Sequence, residues 1–259
     1  MGVLVIGDSC TDVFVYGNIE RICPEAPVPV FNPIHKVQNG GMARNVKSNL
    51  EALGLEVDII TNQNDIKKTR YIDEKSKQMV LRVDEHDYCD AVDLNLLDFK
   101  NDKYEAIIIS DYCKGFLKEE NIKYICNYDN VFIDTKKKIG DWILLSDFIN
   151  INELEYKRNE KKLSSNQFKE NLIVTLGSKG CRYNNKIFTV DKVSVSDVSG
   201  AGDTFMAGLV AEYVNSKDIY KSIDYAQQCS IKVVSQLGVA TVWRHVDTSK
   251  VIGLASIIG

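Results

Sequence analysis

The residues best suited to chemistry lie in one short stretch, which reads Ser199-Gly200-Ala201-Gly202-Asp203. Three small residues precede a carboxylate, and an apolar run with helical spacing follows. Small residues at the start of a helix let an anion approach the free backbone N–H groups at its positive end. Asp203 would then lie in the first turn. It either takes a proton from an attacking hydroxyl or is only a favourable first-turn acid beside a tight turn.

Further polar residues follow a predicted strand at residues 3–6, and the first of them is Asp8. The carboxylates of Asp8 and Asp12 either accept hydrogen bonds from sugar hydroxyls or cap a turn. Gly40 and Gly41 precede a predicted helix and offer a second set of free N–H donors. Asn45 lies one turn into that helix and faces the same space. Together these residues predict a crevice that binds a hydroxyl-rich ligand.

The elements that must position these residues alternate between strand and helix. Each predicted core strand ends in polar or small residues, which is typical of an α/β sheet that binds ligands at its strand ends. Lys136 follows one such strand, and we expect at least one lysine of residues 136–138 to face the crevice. The predicted core strands are 106–109, 131–134, 148–151, 172–176 and 240–243, a hairpin spans 180–190, and helices cover 42–53, 92–99, 121–128 and 220–237.

A second, smaller unit is predicted near the N-terminus. Residues 13–17 and 28–31 read as extended, and the stretch 21–29 that joins them contains three of the chain's four prolines. Because proline cannot donate to a central ladder, this is either a lid beside the crevice or an ordinary edge hairpin. A second hairpin is predicted over 71–84. We expect one domain over residues 1–259, with a β lid formed by about 12–37 and 69–84.

Composition narrows the class of protein. The 259 residues include 44% hydrophobic and 26% charged residues, as expected of a globular core, and the net charge of −4 argues against nucleic-acid binding. Seven cysteines without a Cys-x-x-Cys pair indicate a reducing cytoplasm. The chain has no run long enough to cross a membrane and no signal peptide at its start.

In combination, these stretches resemble the ribokinase-like (PfkB) family of sugar kinases, and the resemblance covers nearly the whole chain. The lid sequence and the stretch Ser110-Asp111-Tyr112…Lys114-Gly115 look like the bacterial heptose-7-phosphate kinases within that family. The resemblance implies a ribokinase-like three-layer fold. It also implies phosphorylation of D-glycero-D-manno-heptose 7-phosphate at C1 by ATP, on the path to ADP-heptose or GDP-heptose and lipopolysaccharide.

The resemblance also implies roles for individual residues. Asp203 matches the catalytic base, and its small neighbours match the anion hole. Glu155 matches an element that organises Mg²⁺ indirectly, and Asp197 resembles a position around a monovalent cation such as K⁺. The implied anion hole is Gly200, Ala201 and Gly202; the implied acceptor site is Asp8, Asp12, Gly40, Gly41, Arg44, Asn45, Lys114 and Lys136; the implied nucleotide site is Asn152, Glu155, Thr175, Gly177, Ser178 and Gly180.

Two departures from the family pattern leave alternatives open. Residues 61–69 lack a helix and strand that longer members carry, which could alter the fit of the sugar or dimerisation through the lid strands. Arg44 stands where many members have a small residue, and it either pairs with a substrate phosphate or narrows the pocket. No nucleotidyltransferase motif follows, so we expect this chain to act on the kinase step alone. Another sugar, a nucleoside, or a non-catalytic sugar sensor remain the rival functions.

Overall fold

The computed structural model describes residues 2–97, 103–190 and 200–235. It has twelve strands within this part of the chain. They are β1 Gly2–Gly7, β2 Ser9–Ile22, β3 Pro29–Met42, β4 Val57–Thr61, β5 Ile66–Asp73, β6 Met79–Glu85, β7 Tyr104–Asp111, β8 Val131–Thr135, β9 Phe148–Asn152, β10 Leu172–Thr175, β11 Cys181–Tyr183 and β12 Lys186–Phe188. The helices are α1 Ala43–Ala52, α2 Glu119–Ile125, α3 Glu153–Leu163, α4 Ala201–Ser216 and α5 Ile219–Val234.

The central sheet has the strand order β12-β11-β10-β9-β8-β7-β1-β4. From β4 through β10 all neighbours are parallel, whereas β11 and β12 add an antiparallel edge. Continuous apolar runs such as that of β7 are buried on both faces, as a parallel sheet requires. Helices α1, α4 and α5 pack on one face, and α2 and α3 pack on the other. The predicted three-layer α/β fold is confirmed.

The lid is a separate four-stranded sheet with the order β3-β2-β5-β6. Its two hairpins are antiparallel, and β2 pairs with β5 in parallel. Both predicted hairpins are present, but β2 and β5 start several residues earlier than expected. β2 therefore begins two residues after β1 ends, β5 follows β4 after a four-residue turn, and α1 begins directly after β3. This continuity carries lid residues into the crevice.

Two elements of the structure differ from the sequence-based expectation, and one predicted strand is not tested. The helix expected over 92–99 is only a short 3-10 turn at Leu94–Leu97, and residues 98–102 lie outside the described part of the chain. Helix α3 is not predicted because its sequence is mostly charged and shows little apolar periodicity. The strand expected over 240–243 also lies outside the described residues. Within the described residues, no helix has both the length and the apolarity needed to span a bilayer.

Turn chemistry explains two boundaries that the sequence does predict. Gly54 ends α1 with a positive φ of 87°, the left-handed conformation that glycine adopts without strain. Asn184 and Asn185 turn the β11–β12 hairpin with φ values of 44° and 64°, as expected of a two-residue hairpin loop. Local sequence is sufficient at these positions because the backbone conformation itself selects the residue type.

Candidate active site

Asp203 lies in the first turn of α4, directly after the small residues of the predicted anion hole. Gly200 caps the helix with a φ of 77°, a left-handed conformation that favours glycine. A Cβ added at Gly202 would meet nothing closer than an Asp134 oxygen 4.0 Å away, so the space beside the helix start is open. The turn therefore presents backbone N–H groups to an accessible space, as an anion hole requires.

The Asp203 carboxylate is 6% exposed and is held at both oxygens. Asn45 Nδ2 donates to Asp203 Oδ2 at 2.8 Å, and the Tyr112 hydroxyl donates to Oδ1 at 2.6 Å. Burial raises the Asp203 pKa to about 6, and the Asp134 charge acts in the same direction, while the two hydrogen bonds and Lys136 lower it. A carboxylate poised near neutral pH is suited to accept a proton and release it again.

Asn45 is itself held in place by the next turn of α1. Asn49 Nδ2 donates to the Asn45 carbonyl oxygen at 2.9 Å and to Asn45 Oδ1 at 3.2 Å. This leaves the Asn45 amide N–H₂ pointing at Asp203. The structure thus brings together two residues that are 158 positions apart in the sequence.

Tyr112 belongs to the candidate site, although no role is predicted for it above. It lies in the loop after β7, and burial followed by the charges of Asp203 and Asp134 raises its pKa well above the ordinary value. The hydroxyl therefore stays protonated and remains a donor to Asp203 at any physiological pH. A signal for Tyr112 was present, because it belongs to the Ser110-Asp111-Tyr112 stretch that carries part of the family resemblance.

The geometry of Asp8 differs from the expected contact with substrate. Asp8 is fully buried, and its two oxygens accept from the backbone N–H groups of Tyr112 at 2.7 Å and Phe116 at 3.2 Å. Burial, with the Asp111 charge second, raises its pKa. Asp8 therefore fixes the loop that presents Tyr112, because its oxygens satisfy backbone donors and do not face the crevice.

Gly40 and Gly41 lie at the end of β3, the edge strand of the lid sheet, directly before α1. They pair with Thr11 and Cys10 across the β2–β3 ladder. A Cβ at Gly41 would lie 2.2 Å from Asp12 Oδ2, so glycine is required here by the close approach of the carboxylate. Asp12 accepts from Arg70 Nη1 at 2.5 Å on the neighbouring lid strand. The predicted acceptor residues of β2 and β3 are thus adjacent.

Arg44 and Lys136, both expected to bind the acceptor, have different surroundings. The Arg44 side chain packs over Gly40, whose added Cβ would lie 2.7 Å from Arg44 Cβ. Lys136 Nζ donates to Asp134 Oδ1 at 2.8 Å and contacts Glu155 Oε1 at 2.9 Å. It also lies 5.5 Å from the centre of the Tyr112 ring. Burial alone would lower the Lys136 pKa, but the two carboxylates outweigh it and raise it.

Asn152 and Glu155 form a capping box at the start of α3. Glu155 N donates to Asn152 Oδ1 and Asn152 N donates to Glu155 Oε2, each at 2.9 Å. This arrangement satisfies two backbone donors of the helix terminus and leaves Glu155 Oε1 for Lys136. Lys136 therefore connects the predicted Mg²⁺-organising element to the surroundings of Asp203.

A cavity of about 940 Å³ opens between α3, β10 and the helices α4 and α5. Its volume is in the range of small-molecule and cofactor sites. Apolar side chains including Leu176, Phe205 and Ile231 form one part of the wall, and small residues form another. All predicted nucleotide-site residues except Glu155 line it, together with two anion-hole residues: Asn152, Thr175, Gly177, Ser178, Gly180, Ala201 and Gly202.

Gln227 is a second site residue that the sequence did not reveal. It lies on α5, is 7% exposed and lines the cavity, and its Oε1 has no hydrogen-bond partner among the described residues. A buried amide oxygen without a partner is costly unless a ligand supplies a donor. Ser230, one turn further on, donates to the Ala201 carbonyl at 3.2 Å and ties α5 to the anion hole.

Two predicted site residues remain, Lys114 and Asp197. Lys114 forms an ion pair with Asp87 beside the lid. Asp197 lies outside the described residues, so its role around a monovalent cation stays a prediction. Among the described residues, no group of three or more His, Cys, Asp or Glu side chains could hold a metal ion.

An α/β sheet with a smaller sheet beside it, a helix start of small residues and a clamped carboxylate are the features expected of a sugar kinase. The profile of pfkB family carbohydrate kinases matches residues 100–245, more than half of the chain. The protein therefore belongs to the pfkB family of carbohydrate kinases. Members of this family in general use ATP and a divalent metal ion.

Curated relatives give a finer comparison. The chain is 28% identical over 287 residues to the bifunctional protein HldE of Campylobacter jejuni (strain RM1221), an alignment that includes 93% of this chain and 62% of that protein. The bifunctional protein HldE of a Nitratiruptor species is 29% identical over 290 residues, with 92% and 62% covered. The chain thus spans less than two thirds of the length of these relatives.

Solved structures support the fold. Phosphofructokinase-2 from Escherichia coli, in complex with potassium, superposes with a TM-score of 0.72 at 14% identity, covering 96% of this chain and 97% of that one. Ribokinase from Thermotoga maritima gives 0.68 at 16% identity, with 92% and 94% covered. Arabidopsis thaliana ribokinase, complexed with ribose and ATP, gives 0.65 at 14% identity, with 92% and 93% covered. At these identities the likeness establishes a ribokinase-like fold.

Proposed function

We propose that this carbohydrate kinase transfers the γ-phosphate of ATP to a hydroxyl of a sugar phosphate, with D-glycero-D-manno-heptose 7-phosphate as the acceptor and the 1,7-bisphosphate as the product. The observation that carries the proposal is Asp203, a buried carboxylate clamped by two donors at the edge of an anion hole. The HldE relatives support the choice of a heptose phosphate. Cytoplasmic ATP would supply the phosphoryl group, so we propose the cytoplasm as the compartment.

In the proposed step, Asp203 accepts the proton of the acceptor hydroxyl as its oxygen bonds to the γ-phosphorus. The bond from that phosphorus to the β–γ bridging oxygen breaks, and ADP leaves. The backbone N–H groups of residues 200–203 stabilise charge on the transferring group. Asn45 and Tyr112 hold the carboxylate in one orientation, so little reorganisation is needed at the moment of transfer.

The cavity beside the anion hole is where we propose that ATP binds. Its small residues allow phosphates to approach backbone donors, and its apolar wall fits a purine ring. The unpartnered Oε1 of Gln227 could accept a hydrogen bond from the base or the ribose. Asp134 and Glu155 carry carboxylate oxygens, the donors that Mg²⁺ prefers. Because Lys136 already binds Asp134 Oδ1 and Glu155 Oε1, these carboxylates would organise a hydrated ion through its water molecules, and the ion would neutralise phosphate charge. Lys136 occupies the space between their carboxylates. Asp197 remains our candidate for binding K⁺.

The decisive experiment measures ADP release with a panel of acceptors: heptose 7-phosphate, fructose 6-phosphate, ribose and adenosine. We expect the highest kcat/KM with heptose 7-phosphate. Asp203→Asn should fold and bind ATP but lose about 100-fold or more in turnover, the usual scale for a positioned base. Asp224→Asn, an exposed carboxylate on α5, is the matched control.

The outcomes separate the rival functions. Preference for ribose or adenosine would replace the heptose phosphate by another acceptor while keeping the kinase chemistry. Absence of ADP formation with every acceptor, together with tight sugar binding, would favour a non-catalytic sugar sensor. Near-normal turnover by the Asp203→Asn variant would remove the proposed role of this carboxylate.

We also propose that two copies associate through their lids. Large apolar side chains are more than half exposed on the lid strands, among them Ile34, Met79 and Leu81. Exposed apolar strands of this kind favour a contact with another surface. Light scattering after gel filtration should give a dimer mass for the native chain and a monomer for Leu81→Lys. A native monomer at micromolar concentration would contradict this arrangement.

A further inference from the structure

The inner face of the lid carries a row of charged residues that the proposed transfer step does not use. The strand register pairs Asp12 with Lys68, Lys68 with Asp84, and Arg70 with Arg82. Cross-strand partners lie on the same face of a sheet, and side chains two residues apart on a strand share that face. These five residues therefore project from one side of the lid, which we call the inner lid face.

The inner lid face is joined to the central sheet by a chain of ion pairs. Arg82 binds Asp84, Lys68 binds both Asp84 and Asp87, and Lys114 binds Asp87. Lys114 belongs to the loop after β7, the same loop that presents Tyr112 to Asp203. The chain of ion pairs thus extends from the edge of the lid to the immediate neighbourhood of the candidate active site.

Positive charge exceeds negative charge in this chain of ion pairs. Three cations, Arg82, Lys68 and Lys114, share the two carboxylates of Asp84 and Asp87. Lys68 is only 6% exposed, so its ammonium is desolvated and oriented by its partners, whereas Arg82 is 43% exposed and keeps donors free for a ligand. A guanidinium with free donors beside a fixed ammonium is suited to bind the oxygens of a phosphate group.

The buried thiol of Cys10 connects this row with the candidate active site. Burial and then the charges of Asp12 and Asp203 raise the Cys10 pKa to about 12, while Lys68 and Arg70 act in the opposite direction. The Cys10 sulfur and the Asp12 carboxylate both lie against Gly41, and Asn45, four residues further along the chain, donates to Asp203. Arg70 lies two residues beyond Lys68, about 7 Å further along the strand. An acceptor could extend from Asp203 towards these cations.

We infer that the inner lid face, through Lys68, Arg82 and Lys114, binds a phosphate ester carried by the acceptor at the end opposite the phosphorylated hydroxyl. This inference rests on the proposed kinase function and makes it more specific, since it assigns the acceptor's own phosphate to a site. A neutral sugar would leave the excess positive charge of the lid without a counterion. The site therefore selects sugar phosphates over unphosphorylated sugars.

The test uses the full chain with Arg82→Gln and Lys114→Gln, and with Lys67→Gln as the matched control. Lys67 is the neighbour of Lys68 on β5, and the alternation of the strand turns its side chain to the opposite face. KM is measured for heptose 7-phosphate and for the same heptose without phosphate. Binding of heptose 7-phosphate in the absence of ATP is measured by calorimetry.

We expect each inner-face variant to raise KM and Kd for the phosphorylated acceptor by about 10-fold or more, as for loss of one charge-assisted hydrogen bond. The unphosphorylated acceptor and the Lys67→Gln variant should be unaffected. Unchanged affinity for heptose 7-phosphate in both inner-face variants, or equal losses for the two acceptors, would overturn the inference even if turnover is normal. Weakened binding without any native turnover would support the phosphate site while refuting the kinase proposal.

Discussion

Replacing Tyr112 by Phe removes one of the two donors to Asp203 while leaving the ring in place. The hydroxyl donates to Asp203 Oδ1 at 2.6 Å, and the backbone N–H of Tyr112 is fixed independently by Asp8. The loop should therefore keep its position when the hydroxyl is lost. The variant isolates the contribution of a single hydrogen bond to the protonation of the proposed base.

The size of the effect follows from the energy of that bond. A hydrogen bond to a charged group contributes roughly 1.5–3 kcal/mol, and one pKa unit corresponds to about 1.4 kcal/mol. Loss of the bond should raise the Asp203 pKa from about 6 to about 7 or 8. At pH 7 the ionised fraction would then fall from about nine tenths to between roughly a half and a tenth.

The assay is the pH dependence of kcat/KM, whose acid limb reports groups on the free enzyme. We expect the acid limb of Tyr112→Phe to move to higher pH by about one to two units, with much of the activity recovered near pH 9. Tyr183→Phe serves as the control, because its hydroxyl donates to the Glu170 carbonyl at 2.7 Å, away from the site.

Two results would refute this reasoning. An acid limb at the same pH in the native chain and in Tyr112→Phe would mean that Asp203 is not the group that titrates. A loss of activity that is equal at all pH values would mean that Tyr112 acts on the shape of the site and not on the charge of the carboxylate.

Three further predictions concern other features of the site. Because burial raises the Asp203 pKa from 3.8 to about 6, its contribution to stability is highest below pH 4 and is lost as the pH rises through 6. The free energy of unfolding of Asp203→Asn, relative to the native chain, should therefore improve by about 2 kcal/mol between pH 4 and pH 7, as measured by urea titration. Gly202→Ala should keep or raise Tm, because the helix gains an alanine and the added Cβ meets open space. The same methyl group enters the anion hole and should lower kcat severely; an unchanged kcat would contradict the proposed role of Gly202 in the anion hole. Gln227→Met should weaken ATP binding about 5-fold, as measured by calorimetry, and should leave the Tm of the ligand-free protein unchanged, because Oε1 has no partner among the described residues to lose. A large fall in that Tm would indicate a structural role for Gln227.

The parts of the fold that the sequence predicts well are those governed by local patterns. Continuous apolar strands, the helix that ends at Gly54 and the Asn184–Asn185 turn each follow from residues close together in the chain. Helix α3 escapes prediction for the opposite reason: its surface is charged and its periodicity weak. The Asn152–Glu155 capping box is the available signal for its start, but the same residues also fit a ligand-binding motif.

The candidate site likewise contains residues that local sequence patterns predict and residues that they do not. Asp203 and its small neighbours form a local motif, so the sequence identifies them. Tyr112 belongs to a stretch that carries part of the family resemblance, but its hydrogen bond to Asp203 is visible only in three dimensions. Gln227 lines the cavity from α5, and no short pattern predicts it. Asp8 shows the converse problem, because a carboxylate at a strand end looks the same whether it faces a ligand or satisfies backbone donors. Only its hydrogen bonds with the backbone of the loop after β7 distinguish the two.

The clamp on Asp203 also ties catalysis to the folding of the whole domain. Its hydrogen bonds join residues 158 and 91 positions apart, and the Asp8 contact that supports Tyr112 joins residues 104 positions apart. Each contact closes a long loop whose entropy must be overcome before any of them is stable. A partly assembled chain would therefore lack a working base, and catalytic competence should emerge late in folding, with the docking of α1 and α4 onto the sheet.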